Sequence, residues 1–201
     1  MLALFDRGST HLSLLAPRRI ELGEGCWIDH QPGFLKGHEE LLQHLVRAAA
    51  WKQRERWMVD RRVLEPRLTA TVEPGEGHAV LWEIVDLLCE RYRAQLRHLT
   101  LSYYRSGRDS VAPHGDRGEA SQPGAVTVSV SLGFPRKLLL KPVGGGSSRA
   151  FNLGWGDLFV MGGAIQRHWL HGVPKCRHAA PRLACLFWLA QSAPRSRASR
   201  A

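Results

Sequence analysis

Apolar residues recur at two different periods along this chain. In residues 37–51 (GHEELLQHLVRAAAW), Leu41, Leu42, Leu45, Val46 and Ala49 fall at helical spacing with charge opposite, which predicts a helix. Residues 78–97 repeat the pattern with Val80, Leu81, Ile84, Leu87, Leu88 and Tyr92, predicting a second helix. Between them, residues 52–77 mix Trp57, Met58, five arginines, two prolines and a PGEG turn, and read as short strands and loops. From residue 99 the texture changes to short apolar or alternating runs divided by Gly and Pro: LTLSYY, VTVSVSLG, RKLLLK, DLFVMGG, HWLHGV and LACLFWLA. These predict six to eight strands. No helical pattern separates the strands, as βαβ units would require, so the expected class is mainly β: a jelly-roll or barrel with N-terminal supporting helices. Residues 191–201 hold three arginines and three serines without periodicity and read as a basic tail.

Composition narrows the functional classes. At 201 residues, one core can bury roughly 70% of the surface the unfolded chain exposes, so one domain is expected. We divide it into an N-terminal helical and lid region (1–98), a β core (99–190) and the tail (191–201). The net charge of +10 makes polyanions the first partners to consider. Residues 1–100 carry 14 basic and 14 acidic side chains, and residues 101–201 carry 14 basic and 4 acidic, so the whole excess lies in the second half. The apolar Met1–Phe5 stretch meets Asp6 at once, which argues against a signal peptide, and no run approaches the ~20 apolar residues of a membrane helix. Cys26, Cys89, Cys176 and Cys185 form no CxxC pair, which argues against a zinc ribbon or a disulfide scaffold. A cytoplasmic monomer with reduced cysteines is the expectation.

One constellation carries chemistry. His114 and Asp116 stand two positions apart, which on an extended strand turns both side chains to one face. His171, 57 residues after His114, is the natural third ligand, because two His and one carboxylate form the facial triad of non-haem Fe(II) oxygenases. Arg182 follows Pro181 and opens an apolar strand, where a lone guanidinium needs an anionic partner. A bound dicarboxylate supplies one.

The segment from Leu101 to Trp188 resembles the catalytic core of the AlkB-like Fe(II)- and 2-oxoglutarate-dependent dioxygenases, which have a double-stranded β-helix (jelly-roll) core. The matching blocks, in order, are YYRSGRDSVAPHGD, SVSLG followed by RKLLLK, GDLFVMGGAIQRHWLHGVPK, and the PRL strand; DRRVLEPRL at 60–68 resembles the stretch ahead of the substrate-recognition lid. The resemblance implies that His114, Asp116 and His171 hold Fe(II), and that Arg182 binds the distal carboxylate of 2-oxoglutarate with the Tyr104 hydroxyl beside it. Ser102 stands where relatives often have Asn and can still donate one hydrogen bond. O2 is the co-reactant, and the implied reaction is oxidative dealkylation of N-alkylated bases in DNA or RNA. A protein or small-molecule substrate, or a non-catalytic binding role, are the alternatives, with a zinc hydrolase further behind.

The chain also departs from its relatives. Trp188 stands six residues after Arg182, where a second arginine is usual, so it is expected to point where a cation would be; an indole donates one hydrogen bond but cannot neutralise a carboxylate. Pro113 replaces an aromatic residue, Gly118 an acidic one, and Thr71-Val72-Glu73 an aromatic-Gly turn of the lid. Trp57 and Met58 are candidates for a base pocket, with the core as the blander assignment. Ten basic residues from Arg105 to Arg177, Arg136 among them, surround the motif blocks, and about half are expected to track phosphates.

Overall fold

The computed structural model describes residues 10–58 and 60–190, with side chains throughout except at 56–58 and 61, so the tail and the side chains of Trp57 and Met58 lie outside the described residues. In chain order the elements are β1 (His11–Leu12), β2 (Arg18–Gly23), β3 (Cys26–Gln31), β4 (Leu35–Lys36), α1 (His38–Ala48), β5 (Glu55–Met58), β6 (Arg61–Leu64), β7 (Leu68–Thr71) and α2 (Ala79–Tyr92). Then come β8 (Gln95–Tyr104), β9 (Val111–His114), a 3-10 turn (Gly118–Ser121), β10 (Ala125–Gly133), β11 (Arg136–Pro142), β12 (Arg149–Leu153), β13 (Asp157–Gly163), α3 (Ile165–His168), β14 (Trp169–Val173) and β15 (Arg182–Ala190).

Two antiparallel sheets form the body. The larger runs β2-β3-β13-β10-β15-β8-β7 and the smaller β12-β11-β14-β9, the arrangement of a double-stranded β-helix. The hairpin β5–β6 stands apart from both. Alternation along β10 shows why the larger sheet has two different faces. Val126, Val128, Val130 and Leu132 pack with Leu183, Cys185 and Phe187 against Leu41, Leu45, Leu81 and Leu88 of the two helices. Their neighbours Thr127, Ser129 and Ser131 turn the other way, between the sheets, where Phe159, Met161 and Ala184 meet Leu138, Leu140 and Leu153. One face of the sheet therefore carries the main core, and the other lines the interior where polar groups collect. No described helix is long and apolar enough to cross a membrane, and all four cysteines are unpaired.

The first helix begins at Gly37, which takes a left-handed φ of 71°, with Glu39 and Glu40 in its first turn and Arg47 in its last, as the helix dipole favours. The second helix is capped by the His78 side chain, which accepts from the Val80 N–H. It ends earlier than its periodicity predicts. Arg93 adopts φ 49° and donates its backbone N–H to the Cys89 and Glu90 carbonyls, and Gln95 already pairs with Ala190. Pairing of β8 with the central strand β15 outweighs the helical spacing of residues 93–97. The N-terminal region is also more than helical support, since β2, β3 and β7 are strands of the larger sheet.

Two basic residues expected near phosphates serve the fold. Arg136 is 3% exposed and donates to the carbonyls of Ser106, Asp109 and Pro174 at 2.8–2.9 Å. Arg105 donates side-chain and backbone hydrogen bonds to Asp109 at 2.8–2.9 Å. Together they set the loop that joins β8 to β9. Burial acts to raise the Asp109 pKa, but the Arg105 hydrogen bonds and the charges of Arg105 and Arg136 outweigh it and hold the carboxyl below its ordinary value. A depressed folded pKa contributes stability above the unfolded carboxyl pKa, and that stability is lost as pH falls through the folded value. Asp109→Asn is therefore expected to cost about 1.5–3 kcal/mol at neutral pH. In denaturant titrations the gap from wild type should close as the pH drops below the ordinary carboxylate range.

Candidate metal centre

The smaller sheet brings the two histidines together. β14 and β9 are neighbours, His171 pairs directly with His114, and the ring centroids lie 4.3 Å apart. Asp116 follows just beyond the end of β9, and its Oδ1 lies 3.7 Å from Nε2 of both histidines. One donor atom from each residue falls within 4.8 Å of the others. A single ion about 2.0–2.2 Å from each donor needs donors roughly 3–4 Å apart, so the three residues fit one metal ion.

Their surroundings favour ligation. His114 Nδ1 lies 2.9 Å from the Ala112 carbonyl oxygen, which places the proton on Nδ1 and leaves the Nε2 lone pair facing the cluster. His171 is largely buried, and burial pushes its pKa down to about 4 against the pull of Asp116, so the imidazole is neutral at physiological pH. The other Asp116 oxygen, Oδ2, is within hydrogen-bonding distance of Gln166 Nε2 (3.2 Å), Trp188 Nε1 (3.3 Å) and Thr127 Oγ1 (3.4 Å). The Gln166 side chain also accepts from the Asp116 N–H at 3.0 Å. The backbone is close here too: a Cβ on Gly115 would lie 2.6 Å from the Gln166 carbonyl oxygen. Gly115→Ala is expected to shift this loop, costing about 1–3 kcal/mol and weakening Co(II) binding. Unfolding and metal titrations read the two effects separately.

The second group of expected residues sits deeper in the same interior. Arg182 and Tyr104 pair across β15 and β8, with the guanidinium 5.3 Å from the centre of the phenol ring. Arg182 is 2% exposed, donates to the Leu153 carbonyl and the Ser131 hydroxyl, and has no carboxylate partner among the described residues. Burial lowers its pKa, the mark of a cation held without a counter-charge. Ser102 is buried two residues before Tyr104, on the same face of β8. Along β10, Thr127 reaches Asp116 and Ser131 reaches Arg182, with the buried Ser129 hydroxyl between them unpaired among the described residues. A polar strip of about 13 Å thus joins the metal cluster to the guanidinium.

Trp188 lies on the same face of β15 as Arg182, the face its spacing predicts. It stands at the metal end of β15, with its indole N–H on Asp116. Gln166, Thr127, Ser129 and Ser131 were missed as site residues. The VTVSVS alternation carried the signal for the last three, since an alternating strand whose second face is all hydroxyl is an unusual way to line an apolar interior. A cavity of about 520 Å³ opens beside Asp116, lined by His98, Thr100 and Trp188, with Arg97, Arg117 and Glu119 towards solvent.

Residues 31–199 match the family described as the 2OG-Fe(II) oxygenase superfamily. The chain belongs to that family, and its relatives make it AlkB-like. The mouse alpha-ketoglutarate-dependent dioxygenase alkB homolog 3 is 30% identical over 189 residues, covering 82% of this chain and 66% of the mouse protein. The mouse DNA oxidative demethylase ALKBH2 is 26% identical over 126 residues, covering 58% of this chain and 53% of that protein. The chain thus spans less than two thirds of the length of these relatives. Two solved structures share the fold. OsALKBH1 aligns with TM-score 0.57 at 15% identity, covering 87% of this chain and all of that one. A prolyl hydroxylase from Trichoplax adhaerens, solved with a hypoxia inducible factor peptide fragment, aligns with TM-score 0.60 at 16% identity, covering 82% and 83%.

Proposed function

We propose that this protein is an Fe(II)- and 2-oxoglutarate-dependent dioxygenase that oxidatively removes N-alkyl groups from the bases of DNA or RNA. The observation that carries the reading is the buried guanidinium of Arg182, unpaired with any described carboxylate, at the far end of a hydroxyl strip from a three-donor metal cluster. His114, Asp116 and His171 would hold the iron. Arg182 and the Tyr104 hydroxyl would take the distal carboxylate of 2-oxoglutarate, with the Ser102 hydroxyl on the same face. Iron, when bound with 2-oxoglutarate and O2, supplies the oxidising power that hydroxylates the alkyl carbon, which then leaves as an aldehyde while the cosubstrate becomes succinate and CO2.

The chain's own residues do the rest. The neutral His171 presents a lone pair without first losing a proton, and the Nδ1 contact of His114 to the Ala112 carbonyl turns its Nε2 to the cluster. Leu140, Leu153, Phe159 and Ala184 line the same interior and would keep bulk water from a cosubstrate held there. At the open end, the cavity beside Asp116 has room for a base turned out of its strand, and the exposed Arg97 and Arg117 stand where phosphates would pass. A nucleic-acid substrate also agrees with the net charge of +10 and with the printed activity of the mouse ALKBH2 relative.

Salt titration tests the substrate class. Affinity for a methylated single-stranded oligonucleotide is expected to fall as salt rises, with a log–log slope near −0.7 per phosphate contact. Arg117→Ala should flatten that slope by about one contact. Affinity that does not change with salt would contradict a nucleic-acid substrate.

A further inference from the structure

Trp188 belongs to neither apolar cluster of the described residues. In the register of β10 and β15, Trp188 lies directly opposite Thr127, and both side chains turn into the interior. Both reach the same atom, Asp116 Oδ2, and Gln166 from α3 reaches it as well. Oδ2 thus sits among three donors, while Oδ1 faces the two imidazoles. The pairing of β15 with β8 shifts immediately after Trp188, so that Trp188 opposes His98 and Leu189 opposes Leu96. Arg97 is left over as a bulge. The bulge lies on β8, directly across from the Trp188–Leu189 step of β15.

We propose that Trp188 is a positioning residue for the metal-binding carboxylate: its indole N–H, with the Thr127 hydroxyl and the Gln166 amide, fixes Asp116 so that Oδ1 alone is offered to the ion. This rests on the assignment of the metal to His114, Asp116 and His171. All three donors are neutral. They hold the carboxylate's orientation without cancelling its charge. The ring has a second consequence, because its body forms part of the wall of the cavity that opens beside Asp116. The residue that orients the ligand therefore also limits what can approach it.

The test uses Co(II) as the probe on the full chain, with Trp188→Phe, which keeps a ring and removes the donor. The expected result is Co(II) affinity about 10–100-fold weaker, the usual cost of losing an outer partner of a metal ligand. The Co(II) absorption bands should shift, and the metal-free unfolding temperature should stay within a few degrees of wild type. Thr127→Val removes another donor from the same oxygen and should change affinity and bands in the same direction, which keeps the test open if the Phe variant folds poorly. Unchanged Co(II) affinity and bands in the folded variants would overturn the proposal. So would a loss of affinity that only tracks a fall in metal-free stability. His171→Ala separates this from the assignment beneath it: if that variant binds Co(II) as wild type does, the metal assignment itself has failed.

Discussion

Asp116→Ala is expected to lower metal affinity and turnover by more than about 100-fold, since losing only an outer partner of a metal ligand typically costs 10–100-fold. Asp116 is the one anionic donor of the three, and its Oδ1 is equidistant from Nε2 of both imidazoles. The substitution should spare the fold. Asp116 lies beyond the end of β9 and borders an open cavity together with Trp188, so water can reach the place its carboxylate leaves. Equilibrium dialysis against Co(II), with unfolding of the metal-free protein as the control, separates the two effects. A variant that still turns over at more than a tenth of the wild-type rate would remove Asp116 from the centre.

Arg182→Leu is expected to raise the KM for 2-oxoglutarate by more than about 30-fold, because deleting one partner of a buried charge pair costs about 2–5 kcal/mol. The same change should leave the cosubstrate-free protein as stable as wild type or more so. A buried cation without an acidic partner is a burden to the empty protein, and an apolar side chain relieves it. An arginine kept only for structure would behave the opposite way, with stability falling and KM unchanged. Thermal unfolding with and without 2-oxoglutarate distinguishes the two cases: the wild type should be stabilised by the cosubstrate and the Leu variant should not.

How much of this was legible before the structure depended on what each signal consisted of. The strands of the second half were readable because alternation and Gly or Pro punctuation coincide there. β2 and β3 were not: RRIELG is a half-exposed edge strand with only two apolar residues, and CWIDHQ mixes polar side chains into a buried strand. The end of α2 was misplaced because residues 93–97 suit either period, and only the pairing of β8 with β15 decides between them. The HxD spacing and the distant histidine could be read together from the motif blocks, and the structure sets the two histidines on adjacent strands with Asp116 just past the end of β9. What could not be read was the direction of single side chains. Arg136 looked like any other basic residue until three carbonyls were found around it. Trp188 looked like a missing cation until its indole was found at the metal end of the strand. Both depend on register across strands far apart in sequence, which a linear pattern does not encode.

The charge excess of the second half is likewise narrower than composition suggests. With Arg136 buried, Arg105 paired to Asp109 and Arg182 facing the interior, the cations of that half left for a phosphate backbone beside the cavity are exposed ones such as Arg117, joined there by Arg97 from the first half.

The most direct test of the central claim is to incubate the protein with Fe(II), ascorbate, 2-oxoglutarate and an N-methylated single-stranded oligonucleotide, and to measure succinate and formaldehyde together. The account predicts both products in near-equal amounts, dependent on iron and on the methyl group, and both lost in Asp116→Ala. A protein that binds iron and 2-oxoglutarate yet releases no formaldehyde from any methylated oligonucleotide would contradict it.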